Sequence, residues 1–497
     1  MNSLPASFLR RTEPLFGSER FNAFLRAMAD DPTVSIRLNR LKRPATACQD
    51  SAPIDQDSAT AGRCLLPGAQ QVPWCADGFY LPGRPSFTFD PLFHAGCYYV
   101  QEASSMFLAQ VLGNLSDRPL LCLDLCAAPG GKSTLMRQVL PDDALLVSNE
   151  PVRLRATILS ENMQKQGHPH CVVTSNYPRD FQRTRLRFDL ILADVPCSGE
   201  GMFRKDDESI AQWSEAHVEQ CSQLQRDIVA DIWPCLKAGG LMVYSTCTFN
   251  TQENEENVQW ICNTLGAEPL AVPTQESWGI TGSLLPGFDG PAYRFIPGYT
   301  RGEGLFVCLL RKTADDSKGQ GKDDSWERAS ALRSSKVSKT RRDKRVADKP
   351  VRPVSQWLSA DRAFELQSDG TILRALPQAW ADTCRQLLSS MNVLHAGVKL
   401  GEAKGRDFIP DQCLALSCSL KKDAFATAEL TDMQALAYLH RESVTLPADA
   451  PRGFVLVTYR GLPLGFVKNI GSRANNLYPQ AWTIRTSHLP TVCERVI

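Results

Sequence analysis

Between residues 96 and 312, short apolar runs alternate with helical stretches, and nothing else in the chain narrows the possible folds as far. The runs are LLCLDLC (120–126), ALLVSNE (144–150), CVVTS (171–175), FDLILAD (188–194), GLMVYST (240–246) and LFVCLL (305–310). Between several of them lie STLMRQVL, VRLRATILSENMQKQG and EAHVEQCSQLQRDIVADIWPCLKAGG. Strands that are apolar throughout must be covered on both faces, and helices in the connections provide that cover. The segment therefore reads as an α/β, Rossmann-like domain over 96–312. Lys-Ala-Gly-Gly at 237–240 stops one helix before the next strand.

The flanks read differently. Residues 1–95 join an amphipathic start, FNAFLRAM, to a Pro-rich polar middle, and suggest a small α+β lobe. Residues 313–352 read as a linker; its portion from 333 to 352 holds nine Lys/Arg against two Asp. That charge suits a solvated tether or a phosphate-contacting arm, and the two are compatible. Residues 353–497 read as another folded unit. AWADTCRQLLSSM looks helical, and GFVLVTYRGLPLGFVKNI looks like a hairpin around Gly-Leu-Pro.

Whole-chain charge does not decide the partner, because 55 Lys/Arg meet 54 Asp/Glu. The start MNSLPASFLRRTEPLF has no signal-peptide core, and no run of about 18 apolar residues could span a membrane. A cytoplasmic protein without membrane attachment is expected. Seventeen cysteines is an odd count in a long chain, so a disulfide framework is not expected. No C-x-x-C pair occurs and the seven histidines sit at no ligand-like spacing, so no metal is expected. Cys122, Cys171, Cys235 and Cys308 each adjoin an apolar run and read as small core residues.

CLDLCAAPGGKST places a glycine turn between a strand and a helix start. Gly130 and Gly131 allow a tight turn and a close ligand approach, and the helix start offers free N–H groups. The Walker A pattern fails because Cys126 stands where its first glycine belongs, and the dinucleotide fingerprint G-x-G-x-x-G is missing. The missing fingerprint disfavours a dehydrogenase. Asp124 edges the turn and Glu150 ends the second strand, where an acid can hold a ribose diol. An adenosine ligand without pyrophosphate fits, such as S-adenosyl-L-methionine.

Two thiols sit apart from the core set. DVPCSG puts Cys197 after one strand and YSTCTF puts Cys247 after another, both in polar turns at the carboxyl ends where α/β sheets bind ligands. A thiolate beside a methyl donor suits a pyrimidine C5 carbon, which is too poor a nucleophile unaided. Thiolate addition at C6 makes an enamine whose C5 can take the methyl group. Asp194, just before Val195-Pro196-Cys197, is placed to assist at N3 or N4 of the ring.

CLDLCAAPGGKS, DVPCSGEGMFRK and YSTCTF, with GCYYVQEASSM upstream, resemble the motifs of the Sun-type RNA cytosine-C5 methyltransferases. The agreement runs over roughly 90–312. The chain length, GEAKGRDFIPDQCLAL and NLYPQAW resemble most the bacterial members that act on small-subunit ribosomal RNA. The resemblance implies that Cys247 is the nucleophile and that Cys197 assists release of the methylated base. It implies that Cys126, Ala127, Ala128, Pro129, Gly130, Gly131 and Lys132 line S-adenosyl-L-methionine, that Glu150 holds its ribose, and that Asp194 lies between cofactor and base. Where the family has an Asp near the adenine, this chain has Asn176, whose amide oxygen could still accept from the amino group.

The resemblance further implies an RNA-recognition-motif-like amino-terminal lobe and a carboxyl-terminal PUA-like module. Arg473, Asn475, Asn476, Tyr478 and Arg485 are candidate RNA contacts there, and Lys205 is a candidate phosphate contact. The implied substrate is a cytidine of 16S rRNA within the 30S subunit, and the enzyme is expected to be a monomer. DNA enzymes of related chemistry use the Pro-Cys thiol as nucleophile and lack the later Thr-Cys, so Tyr-Ser-Thr-Cys favours RNA. Methylation of tRNA cytosine and a non-catalytic RNA-binding assembly role are the alternatives.

Overall fold

The computed structural model describes residues 4–43, 68–113, 115, 120–313, 354–405, 407–493 and 495–497. The basic segment 333–352 lies outside the described residues. No helix among those described is long and apolar enough to cross a membrane.

The apolar runs do become strands. They are β1 Leu121–Asp124, β2 Leu145–Asn149, β3 Cys171–Thr174, β4 Phe188–Asp194, β5 Leu236–Thr246 and, after a strand β6 Ala267–Leu270 that no apolar run marked, β7 Leu305–Lys312. Every residue of β1, β2 and β3 is buried, which is why these runs show no alternation. Helices α1 Gly131–Val139, α2 Arg153–Gln166 and α3 Glu215–Ile232 fill the connections. Strands β1 to β5 run parallel; β7 pairs antiparallel with β5, and β6 pairs antiparallel with β7. The order β6-β7-β5-β4-β1-β2-β3 reverses direction between β1 and β4. That reversal opens a crevice at the carboxyl ends of β1 and β4. One boundary moves: β5 begins at Leu236, ahead of the Gly-Gly pair, and its pairing with β4 is irregular between Phe188 and Leu190.

The terminal regions are less separate from this sheet than the sequence suggests. Strand β8, Val393–Ala396, comes from the carboxyl-terminal region and pairs antiparallel with β3. Leu376, Ala381, Cys384, Leu387 and Ala396 share one core with Val147, Val172 and Phe188. The exposed edge that β3 would present is thereby covered.

At the other end of the chain, Gln70–Gln71, Gly78–Tyr80, Ser35–Leu38 and Tyr98–Val100 form a four-stranded antiparallel sheet in that spatial order. Tyr98–Val100 lies beyond residue 95, so this small sheet reaches into the segment expected to begin the large domain. The helix Ala6–Met28 is kinked at Gly17 (φ 73°). Its Phe8 and Phe24 pack on Phe203, Trp213 and Phe249.

Two further sheets complete the carboxyl-terminal region. One holds Phe364–Asp369, Ile372–Pro377, Val398–Lys404 and Asp407–Pro410; the other holds Ala426–Glu429, Gly453–Tyr459, Leu462–Asn469 and Ala474–Asn476. The expected hairpin is present, but its turn is Arg460-Gly461, both at positive φ (50° and 76°). That is the geometry of a tight two-residue hairpin turn. Leu462 and Pro463 already belong to the return strand. This sheet shares a core with Ile36, Phe79, Leu92 and Tyr98 of the amino-terminal part.

Buried histidines make the assembly acid-sensitive. Burial, with Arg374 and Lys399 nearby, pushes His395 on β8 down to about 4; burial and Lys165 push His94 down to about 3. Both are neutral when folded, whereas the unfolded chain takes up a proton below about pH 6.5. Stability is therefore expected to fall as pH drops from about 6.5 toward 4, by at most about 1.4 kcal/mol per pH unit per histidine. Thermal melting across pH 7.5 to 4.5 checks this, and His395→Gln should flatten the slope.

Candidate active site

The glycine turn is fastened to its neighbours by main-chain bonds. Leu125 N–H donates to Leu192 O (2.9 Å) and Ala127 N–H to Asn149 O (2.8 Å). Gly130 sits at φ 120°, a conformation that disfavours any side chain. Helix α2 holds the loop from outside: Asn162 Nδ2 donates to Pro129 O (2.7 Å) and Arg155 Nη2 to Ala128 O (3.2 Å). Cys126 is half-buried, and burial beside Asp124, Asp194 and Glu150 pushes its thiol up.

Asp124 is fully buried. Its Oδ2 accepts from Ser133 Oγ (2.6 Å), while its Oδ1 has no partner. Burial pushes its carboxyl up to about 7. A buried acceptor without a donor is costly unless a ligand completes it. Glu150 is also buried; its Oε1 accepts from Val152 N–H (3.0 Å), and its Oε2 lies 3.4 Å from the Arg155 guanidinium. Three carboxyl groups, Asp124, Glu150 and Asp194, thus surround the turn. This environment fits S-adenosyl-L-methionine, whose sulfonium and ammonium are cationic and whose ribose offers two hydroxyl donors.

Sequence reading passed over Asn149, which joins three loops at once. Its Nδ2 donates to Leu125 O (3.1 Å) and Asn176 O (2.9 Å). Its Oδ1 accepts from Thr174 Oγ1 (2.9 Å) and Asn176 N–H (3.0 Å). An amide ending an otherwise apolar strand was the available signal. Asn176 itself directs its side-chain oxygen at Asn392 N–H (3.0 Å), so that atom serves the seam with β8.

The two thiols meet. Strands β4 and β5 pair with Asp194 opposite Ser245, and Val195 N–H donates to Ser245 O (3.1 Å). The chains leaving these strands bring Cys197 Sγ to 3.2 Å from Cys247 Sγ. Gly201 N–H donates to Cys247 O (2.7 Å); a Cβ at 201 would lie 2.5 Å from that oxygen, so only glycine fits. The Cys247 contact, then burial, then the charges of Cys247 and Glu253 push the Cys197 thiol well up.

Asp194 stands beside the thiols with both oxygens accepting, from Lys132 Nζ (2.9 Å) and Ser245 Oγ (2.6 Å). Burial opposes the charge on Lys132, but the Asp194 carboxylate outweighs it and holds the ammonium above its ordinary value. Cys247 also lies within electrostatic reach of Lys132. Lys205 lies 3.8 Å from Glu303, which Arg204 grips with Nε (2.9 Å) and Nη2 (2.8 Å). Among the described residues, no group of three or more His, Cys, Asp or Glu could hold a metal.

The carboxyl-terminal candidates divide. Arg473, Asn475, Asn476 and Arg485 line an open pocket of about 900 Å³, together with Arg441, which sequence reading missed. The Asn476 Nδ2 is committed internally, donating to Tyr438 O (2.8 Å) and Glu442 O (2.9 Å), and Tyr478 is buried in the core.

Known proteins resemble the chain over nearly its whole length. It is 30% identical over 467 residues to ribosomal RNA small subunit methyltransferase F of Shewanella sp. (strain ANA-3), covering 90% of each chain. The chain belongs to the RsmF family. Family profiles match 16S rRNA methyltransferase RsmB/F at 112–311, the RsmF N-terminal domain at 4–103 and the RsmF PUA domain at 425–484. The Escherichia coli O157:H7 RsmF relative is 29% identical over 499 residues, covering 96% of each. Two solved structures share the fold. The crystal structure of PH0851 has TM-score 0.52 and 23% identity, covering 62% of this chain and 66% of that one. NSun6 from Pyrococcus horikoshii with SFG has TM-score 0.50 and 19% identity, covering 63% of this chain and 99% of that one. The RsmF profiles thus meet the small sheet, the large sheet and the last sheet in turn.

In this RsmF-family chain, Asn149→Leu should leave its loop partners without their hydrogen bonds. Urea denaturation is expected to report a loss of about 2 kcal/mol or more.

Proposed function

We propose that the chain transfers a methyl group to C5 of a cytidine in 16S rRNA, with Cys247 as the covalent nucleophile. The observation that carries this reading is the pair of thiols 3.2 Å apart at the ends of adjacent strands, beside the Lys132–Asp194 ion pair. The Lys132 ammonium lies within electrostatic reach of the Cys247 sulfur, and the neighbouring sulfur, burial and Glu253 push the Cys197 thiol up. The Cys247 sulfur bonds to C6, and the ring's electrons move to C5. Cys126 to Lys132, Glu150 and Asp194 would hold S-adenosyl-L-methionine, which would supply the methyl group for C5 with cleavage of its S–CH₃ bond and leave as S-adenosylhomocysteine. The C5 proton then passes to a base, and the S–C6 bond breaks to restore the ring and the Cys247 thiolate. Cys197 assists this release from its place against Cys247. Asp194, an acceptor at both oxygens, suits contact with the N4 amino group better than proton donation.

A target base must leave its stack to reach such a site. Its surroundings would be read through RNA shape and unpaired bases. Arg441, Arg473 and Arg485 form a second cationic contact for the RNA, with no carboxylate paired to any of them among the described residues. The relatives' substrate favours 16S rRNA over tRNA, and an intact thiol pair speaks against a purely structural role.

Labelled cofactor is offered with naked 16S rRNA, 30S particles or tRNA, and 5-methylcytidine is mapped. Transfer to small-subunit RNA is expected, whereas transfer only to tRNA, or to none, would overturn the assignment. Cys247→Ala should abolish methylation; Cys197→Ala should accumulate a covalent protein–RNA adduct visible on denaturing gels. Arg473→Gln with Arg485→Gln should weaken RNA binding and lower the salt slope by about 1 for each phosphate that is no longer neutralised.

A further inference from the structure

Two carboxylates lie buried next to the thiol pair, and neither has a cationic partner among the described residues. Glu200 is 3% exposed and Glu253 0%. Such groups are expensive to bury unless their lone pairs are filled. Here they are filled across the gap between the two thiol loops. Glu200 follows Cys197, yet its Oε2 accepts from the Cys247 loop: Thr248 Oγ1 (2.5 Å), Phe249 N–H (2.6 Å) and Asn250 N–H (3.1 Å). Glu253 follows Cys247 and reaches the opposite way, accepting from Ser198 N–H (2.9 Å) and Ser198 Oγ (2.5 Å).

Asn250 Nδ2 ties the two acids together, lying 3.1 Å from Glu200 and 2.8 Å from Glu253. Gln225 Nε2 donates to Glu253 (2.7 Å) and also to Pro196 O (2.9 Å), the residue before Cys197. Trp213 Nε1 donates to Glu200 (3.1 Å). Each loop is thus fastened by a carboxylate rooted in the other. Burial and the Glu200 charge push the Glu253 carboxyl up, so the arrangement is held against an electrostatic cost.

We propose that Glu200 and Glu253 are positioning residues: a reciprocal clasp that keeps the Cys197 and Cys247 loops in one register, so that both sulfurs address the same substrate ring. This rests on the two-thiol reading of the site. An apolar pair could fill the same space. It could not fix the register, because only directional acceptors specify which backbone N–H lies opposite which.

Phenylarsine oxide tests the clasp independently of RNA. It bonds two neighbouring thiols at once, forming two As–S bonds with release of one water. Peptide mapping of the full-length protein should find arsenic bridging Cys197 and Cys247, and Cys247→Ala should lose it. Glu200→Gln and Glu253→Gln place an amide N–H₂ against donors, and bridging should slow about tenfold in each. Ser198→Ala and Thr248→Val remove one hydroxyl apiece, leave the acids in place, and should slow it about threefold. S-adenosylhomocysteine binding by calorimetry should stay unchanged in all four, which a general loss of fold would not allow. No bridge in the wild type, or undiminished bridging in all four variants, overturns the clasp. Slowed bridging alongside a fully active Cys247→Ala enzyme overturns the proposed reaction and leaves the clasp geometry standing.

Discussion

The pairing of β4 with β5 decides where the two thiols meet. Asp194 lies opposite Ser245, and each strand then releases its chain into a turn that carries a cysteine. A shift of one residue would reverse every side chain on β5 and bury what now faces the crevice. The shift is prevented by burial on both faces, since Leu190 and Leu192 go into one core while Ile191, Ala193, Met242 and Tyr244 go into the other. Apolar packing thus fixes a register that polar chemistry uses.

Electrostatics around that register is arranged in opposite senses within a few residues. Lys132 pairs with Asp194 and keeps its ammonium within electrostatic reach of the Cys247 sulfur. Cys197 is pressed toward its protonated form by the neighbouring sulfur, by burial and by Glu253. Asp124 is left with an unpartnered oxygen at the cofactor turn.

The rest of the molecule braces this centre. Phe16 and Phe24 of the amino-terminal helix stack edge-on against Phe249, two residues past Cys247. Phe8 does the same against Phe203 and Trp213 on the Cys197 side. Strand β8 closes the far edge of the sheet, and Asn392 beside it takes the Asn176 oxygen. Terminal regions that look like appendages in the sequence act as walls of the catalytic domain.

What could be read from the sequence was what short stretches of chain specify. Apolar runs of four to eight residues marked the strands because both of their faces are buried, and Gly130-Gly131 marked the turn because its backbone needs freedom that other residues lack. Cysteines just past two strand ends were conspicuous because that is where α/β sheets bind ligands. The sequence thereby determined the α/β domain, the cofactor turn and the two thiols as candidates. It did not disclose β8, the Phe24–Phe249 contact, the role of Asn149, or the crossed attachments of Glu200 and Glu253. Those depend on partners tens to hundreds of residues away, and a glutamate in a loop reads as solvent-facing until its distant donors are known. Only the tertiary structure decided them, because a hydrogen bond or a ring contact is a property of two places in the chain, and local pattern describes one.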